Sequence, residues 1–130
     1  MTVSSRVERM LPVLLVLECS ACGDEAGSWE RYFEDRVGTM LEAAAAGDER
    51  AALASWTPDW DYEEFQFEYR VFARSAGLKR GMTWSIDSVE VLTTGNEFQP
   101  AVAAIEVTID GRSLALRVEA GQRIRLSPGT

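Results

Sequence analysis

Residues 101–126 read AVAAIEVTIDGRSLALRVEAGQRIRL, and the alternation within this stretch decides the fold. Ala101, Ala103, Ile105, Val107 and Ile109 share one parity, which puts them on one face of a β-strand. Asp110-Gly111 is a strong signal for a two-residue hairpin turn. Folding the chain back there sets Val107 opposite Leu114, Ile105 opposite Leu116 and Ala103 opposite Val118, apolar partners throughout. Gly121 centres the next turn, and a three-residue loop around it brings Val118 to Ile124 and Leu116 to Leu126. The opposite face carries Glu106, Arg117, Glu119, Arg123 and Arg125, a stripe that reads as a solvated sheet face with its charges balanced. One side of this meander is buried and the other is wet.

Working outward, Trp84 and Ile86 have one parity while Val89 and Val91 have the other. A bulge near Asp87-Ser88 lets both pairs face the same core. Thr93-Thr94-Gly95-Asn96 then forms a loop that leads through Pro100 to the next strand. Residues 62–76 are ambiguous. Phe65, Phe67, Tyr69 and Val71 alternate as a strand does, whereas Tyr62, Phe65, Tyr69, Phe72 and Ala76 follow helical spacing. Charge order separates the two. Asp59, Asp61, Glu63 and Glu64 come first, Arg70 and Arg74 come last and Gly77 follows, the arrangement a helix dipole favours.

Two more helices precede this one. Trp29, Phe33, Val37, Met40, Leu41 and Ala44 form an apolar stripe behind a cap at Ser28, and Gly47 ends it. Asp48 caps a short helix through Ala51, Ala52, Leu53 and Trp56, which Thr57-Pro58 closes. Helices followed by an antiparallel meander make the expected class α+β, with N-terminal helices packed on a curved sheet.

A chain of 130 residues with 46% hydrophobic and 26% charged residues fits one globular domain. The net charge of −8 opposes the approach of phosphate backbones, so no nucleic-acid partner is expected. The sequence contains no histidine, which removes the usual general base near neutral pH and the commonest metal ligand. No catalytic set, metal site or cofactor is expected.

The N-terminus carries the clearest functional signal. Arg6 and Arg9 precede the apolar run Met10-Leu11-Pro12-Val13-Leu14-Leu15-Val16-Leu17, which suits a signal-peptide core and is too short to cross a bilayer. Glu18-Cys19-Ser20-Ala21-Cys22-Gly23 follows, and Ser20-Ala21-Cys22 resembles a lipobox. Small residues let the peptide lie extended in a protease groove, and the Cys22 thiol accepts the lipid. Cys19, where leucine is usual, and the charge of Glu18 depart from that pattern. A plain secretory signal and an uncleaved buried helix are the alternatives.

Cys19 and Cys22 are the only cysteines, so cleavage leaves a lone thiol that acylation would account for. A redox Cys-x-x-Cys pair calls for a strand before it and a helix start at it, and a zinc site for four ligands. The expected domains are therefore 1–21 signal peptide, 22–28 flexible tether and 29–127 folded α+β domain. The expected location is the cell envelope, lipid-anchored to a membrane, with a soluble secreted or periplasmic form as the alternative.

The order of these elements resembles the nuclear transport factor 2-like superfamily, also called SnoaL-like or cystatin-like. Ala43–Leu53 looks like the Gly-Asp junction between its first helices, Trp56-Thr57-Pro58-Asp59-Trp60 like the segment that follows, and Glu119–Ile124 like its closing hairpin. The resemblance implies a bent sheet wrapped on the first helix, a pocket at the wide end, and relatives that include both enzymes and non-catalytic binders. Trp56, Trp60, Tyr62, Phe65 and Trp84 are candidates to line such a pocket for a small apolar ligand, and equally to fill the core. Asp59, Asp61, Glu63 and Glu64 are candidates for a general base, with Tyr32 or Tyr62 as donor, but read more simply as a solvated first helical turn. Asp87 with Arg74 or Arg117 offers a hydrolase-like set that no spacing singles out. The expected function is a membrane-tethered binding domain for a small ligand or protein partner, with homodimerisation through the sheet and an acid–base pocket enzyme as the rivals.

Overall fold

A computed structural model describes residues 16–59 and 61–128, with the backbone alone for 16–24. Three helices, α1 (Val16–Ala46), α2 (Glu49–Trp56) and α3 (Tyr62–Ala76), precede four strands, β1 (Trp84–Thr93), β2 (Val102–Ile109), β3 (Arg112–Glu119) and β4 (Arg125–Leu126). The strands form one open antiparallel sheet in the order β1-β2-β3-β4. The class is α+β, with all helices before the sheet.

The β2–β3 register is the one the hairpin arithmetic gives: Val107 pairs with Leu114, Ile105 with Leu116 and Ala103 with Val118. Asp110 (φ 49°) and Gly111 (φ 82°) both take the left-handed conformation that this tight turn demands. Leu116 pairs with Leu126 as expected. Ile124 instead turns its N–H toward the carbonyl of Trp56 at 3.1 Å, so β4 is short and its approach is stitched to α2. In β1 the register shifts between Ile86 and Ser88, which leaves Asp87 as the extra residue of a bulge. That shift restores Val89 and Val91 to the side that Trp84 and Ile86 occupy.

Charge order also wins at α3. Asp61 caps it by accepting from the N–H groups of Glu63 and Glu64, and Gly77 (φ 82°) ends it. Helical geometry buries Tyr69 and Ala76 and leaves Phe67 and Val71 in solvent, so the alternating pattern of 65–71 is not used. Asp48 caps α2 by accepting from the Ala51 N–H at 3.1 Å.

The N-terminus differs from expectation. α1 begins at Val16, not after a cap at Ser28, so residues 22–28 carry helical backbone where a flexible tether was expected. The physical reason is propagation. No proline interrupts the chain between Pro12 and Pro58. Gly23 and Gly27 cost only about 1 kcal/mol each, and extending an existing helix avoids the cost of a new nucleus. Ser28 lies within the helix and accepts from Arg31 at 3.5 Å.

The core lies between the helices and one sheet face. Phe33, Val37, Met40 and Leu41 of α1 are fully buried with Leu53, Ile105, Val107, Leu116, Val118 and Ile124. Trp29 closes the α1 stripe at its outer end, stacked on Phe33 with ring centroids 5.6 Å apart. The Gly81 N–H donates to the Ala45 carbonyl at 2.8 Å, and Gly38 faces Ile86 across ordinary contact distance. β1 therefore runs back along α1 toward its N-terminal half. This gives the domain two poles. One holds the C-termini of α1 and α3 with the Asp110-Gly111 turn, and the other holds the Thr94–Pro100 loop and the Gly121 turn, which Arg36 of α1 reaches.

Candidate functional site

Of the aromatic residues singled out in the sequence, Trp56 and Phe65 share one cation, the Arg123 guanidinium lying 5.9 and 4.7 Å from their ring centres, while Trp84 stands at the start of β1. Trp56, at the end of α2, is 3% exposed and is a core residue. It packs edge-on against Tyr69 (5.7 Å, 70°) and tilted against Phe72 (5.9 Å, 34°). Phe65 is half-buried on α3 beneath the Arg123 guanidinium, 4.7 Å from its ring centre. Tyr62 is half-buried in the first turn of α3 and Trp84 half-buried at the start of β1, where it pairs with Ile109 at the opposite pole. Trp60 lies outside the described residues. Trp56 lines a cavity.

That cavity is an open groove of about 520 Å³ between α3 and the β3–β4 segment. Trp56, Val71, Phe72, Ile124 and Leu126 form its apolar lining, and Glu68, Ser75, Gln122, Arg123 and Arg125 its polar positions. Periodicity reading missed it because the groove joins the outward side of α3 to a strand of two residues. Arg123 is held by Glu68 at 3.4 Å and stacks over Phe65, which fixes one wall. A concave, mostly apolar surface with a few fixed polar groups suits a small ligand or a short segment of a partner chain.

The acidic residues have structural work. Asp61 is the α3 cap, and Asp59, Glu63 and Glu64 are exposed. Asp87 sits on the solvent face of the bulge, accepting from Ser85 Oγ at 2.9 Å and Thr108 Oγ1 at 2.6 Å. Arg74 is at the far end of α3, and Arg117 pairs with Glu119 at 3.3 Å, so neither meets Asp87 in a pocket. Among the described residues no cluster of acids or cysteines is placed to hold a metal ion.

Two polar centres went unseen in the sequence. Arg36 of α1 reaches four carbonyls: Ser55 at 2.8 Å, Trp56 at 2.9 Å, Gln122 at 2.6 Å and, more weakly, Glu119 at 3.4 Å. Burial holds its guanidinium below the ordinary arginine range, yet so strong a base stays charged. It ties α1 to α2 and to the β3–β4 turn. No spacing marks Arg36, since an arginine beside an apolar stripe ordinarily points to water.

The second centre is Glu49, which accepts a two-pronged pair from Arg70 (2.7 and 2.8 Å) and the Tyr62 hydroxyl at 2.6 Å. The Arg70 guanidinium holds the Glu49 carboxyl below the usual carboxylate range, and Glu49 in turn pushes the Tyr62 hydroxyl up. Arg50 covers the Tyr62 ring at 4.3 Å. This set joins α2 to α3.

Cys22 lies on the helical backbone of α1, upstream of the packed core. Among the described residues no helix is long and apolar enough to cross a membrane. No protein-family model matches the chain, and neither a curated protein nor a solved structure matches it.

Proposed function

We propose that this protein is a membrane-tethered envelope lipoprotein, anchored through a lipid on Cys22, whose α+β domain binds a small ligand or a partner without catalysing a reaction. One observation carries the tether: an apolar run at 10–17 leads into Ser20-Ala21-Cys22-Gly23, the pattern of small residues before an acceptor thiol. Two or more acyl chains hold a protein on a bilayer essentially permanently, at about 0.8 kcal/mol per buried methylene.

The helical backbone at 22–28 refines this reading. After cleavage ahead of Cys22, the retained residues extend α1 as a stalk of about 10 Å at 1.5 Å per residue and set the domain at a fixed distance from the surface. Binding without catalysis is supported by the interior, where apolar side chains fill the space between helices and sheet. It is supported too by the carboxylates of 59–64, which are spent on a cap or on solvent. The open groove beside Trp56 is the surface we assign to the ligand or partner. In the superfamily resemblance the domain is a reduced form of the fold.

The test is the intact mass of the full chain expressed in a lipoprotein-processing host, beside Cys22→Ala. The expected wild-type mass lacks residues 1–21 and gains acyl chains, while the variant gains none. A wild-type mass equal to the whole unmodified chain overturns the assignment.

A further inference from the structure

The pole that carries the C-termini of α1 and α3 holds a second open cleft, of about 370 Å³. Arg70 and Arg74 of α3 and Lys79 and Arg80 of the following loop line it, against a single carboxylate, Glu49. The whole chain has a net charge of −8, so a concave surface with this excess of cations runs against the composition.

Three observations set the cleft apart from an ordinary solvated patch. First, Arg74 and Arg80 make no hydrogen bond or ion pair among the described residues. Glu49 is already satisfied by Arg70, and the Lys79–Asp110 contact is long, at 3.6 Å between exposed side chains. Such a contact costs little to give up. Second, cations near helix C-termini usually answer unsatisfied carbonyls, but backbone N–H groups have taken these. The Ala43, Ala44 and Ala45 carbonyls accept from Asp48, Gly47 and Gly81, and those of Ala73 and Arg74 from Leu78 and Gly77. Third, the Arg80 stem lies close over Gly47, within 3.0 Å of where a Cβ would stand, which places it at the edge of the cleft.

We infer that Arg74, Lys79 and Arg80 form a binding site for a phosphoryl group, either inorganic phosphate or the phosphate monoester of a small molecule. A planar carboxylate is answered by one guanidinium, as Glu49 and Arg70 show in this same cleft. Three further cations drawn from a helix and a loop suit a dianion whose oxygens point in three directions. The volume leaves room for a group attached to the phosphate. This site is distinct from the groove beside Trp56 and does not depend on acylation of Cys22.

The test titrates the full chain with inorganic phosphate, with phenyl phosphate and with acetate, following the arginine Nε–H resonances. Saturable shifts at Arg74 and Arg80 with either phosphate are expected, with an affinity loss of about tenfold or more in Arg74→Gln/Arg80→Gln. Tighter binding of phenyl phosphate assigns the site to an ester, and equal binding to the free ion. Arg117→Gln, on the solvent face of the sheet, should bind as the wild type does. An unchanged thermal midpoint of the cleft variant without ligand shows that it folds, and phosphate should raise that midpoint only in the wild type. The inference is overturned by no saturable shift up to about 10 mM phosphate, the range of only weak affinity, by wild-type affinity in the cleft variant, or by equal binding of acetate. None of these results changes the mass measured for the tether.

Discussion

Trp56 and Ile124 hold each other twice: the indole N–H of Trp56 donates to the Ile124 carbonyl at 2.9 Å, and the Ile124 N–H donates to the Trp56 carbonyl at 3.1 Å. The pair joins the end of α2 to the segment entering β4, and Arg36 adds a third bond to the same Trp56 carbonyl. A buried ring whose polar atom is matched in this way fixes one packing of helices on sheet.

Trp56→Phe keeps an aromatic ring but leaves the buried Ile124 carbonyl without its indole donor. The expected loss is about 1–3 kcal/mol of unfolding free energy, read from urea denaturation. A loss within error of zero would show that the indole bond carries no net stability.

Gly95 (φ +81°) lies in the β1–β2 loop, and an added Cβ would stand 2.6 Å from the Ala101 backbone nitrogen. Gly121 has the same kind of φ, with nothing within 4 Å of its Cβ position. Gly121→Ala should cost about 1 kcal/mol, the ordinary penalty of a left-handed alanine. Gly95→Ala should cost more, because backbone must move as well. Equal midpoints for the two variants in parallel denaturant titrations would contradict the ordering.

The Glu49 carboxyl is held low by Arg70 and the Asp110 carboxyl by the Thr83 N–H. A carboxyl whose folded value is depressed adds stability that is complete above its unfolded value, about 4 for these side chains, and is lost as pH falls through the folded value. The stability–pH curve should therefore drop below about pH 4. Glu49→Gln/Asp110→Asn should make that drop shallower. An acid limb of unchanged steepness in the double variant would assign it to other groups.

At the alkaline end, burial and the nearby Glu49 charge push the Tyr69 hydroxyl up to about 12. A group raised on folding contributes stability that is complete below its unfolded value, about 10 for tyrosine, and is lost as pH rises toward the folded value. Tyrosinate absorbance should show a late step that shrinks in Tyr69→Phe, the remainder belonging to Tyr62. Ionisation of every tyrosine near the ordinary value in the folded protein would place Tyr69 in solvent.

The sheet was legible because a period of two, with Asp110-Gly111 between its runs, admits one register with both faces consistent. Even the Asp87 bulge follows from a change of parity between Ile86 and Val89. At α3 periodicity was divided, and the order of charges around Asp61, Arg74 and Gly77 settled it. The start of α1 was misjudged because Ser28 has the chemistry of a cap without needing to serve as one in a chain that is already helical. Site geometry was the least legible part. The groove beside Trp56 and the Arg36 clasp each assemble residues from segments far apart in the chain, and the cations of the second cleft, though close together in sequence, form a concave surface only where α1 and α2 pack beside them.

The irregularities in β1 bear on how these molecules behave side by side. β1 is an outer strand, and its pairing slips at Asp87 and again between Val91 and Thr93. A strand border broken in this way offers an incoming chain no even row of donors and acceptors to zip onto. Copies of the chain that meet along that border would thus do so without fusing their sheets.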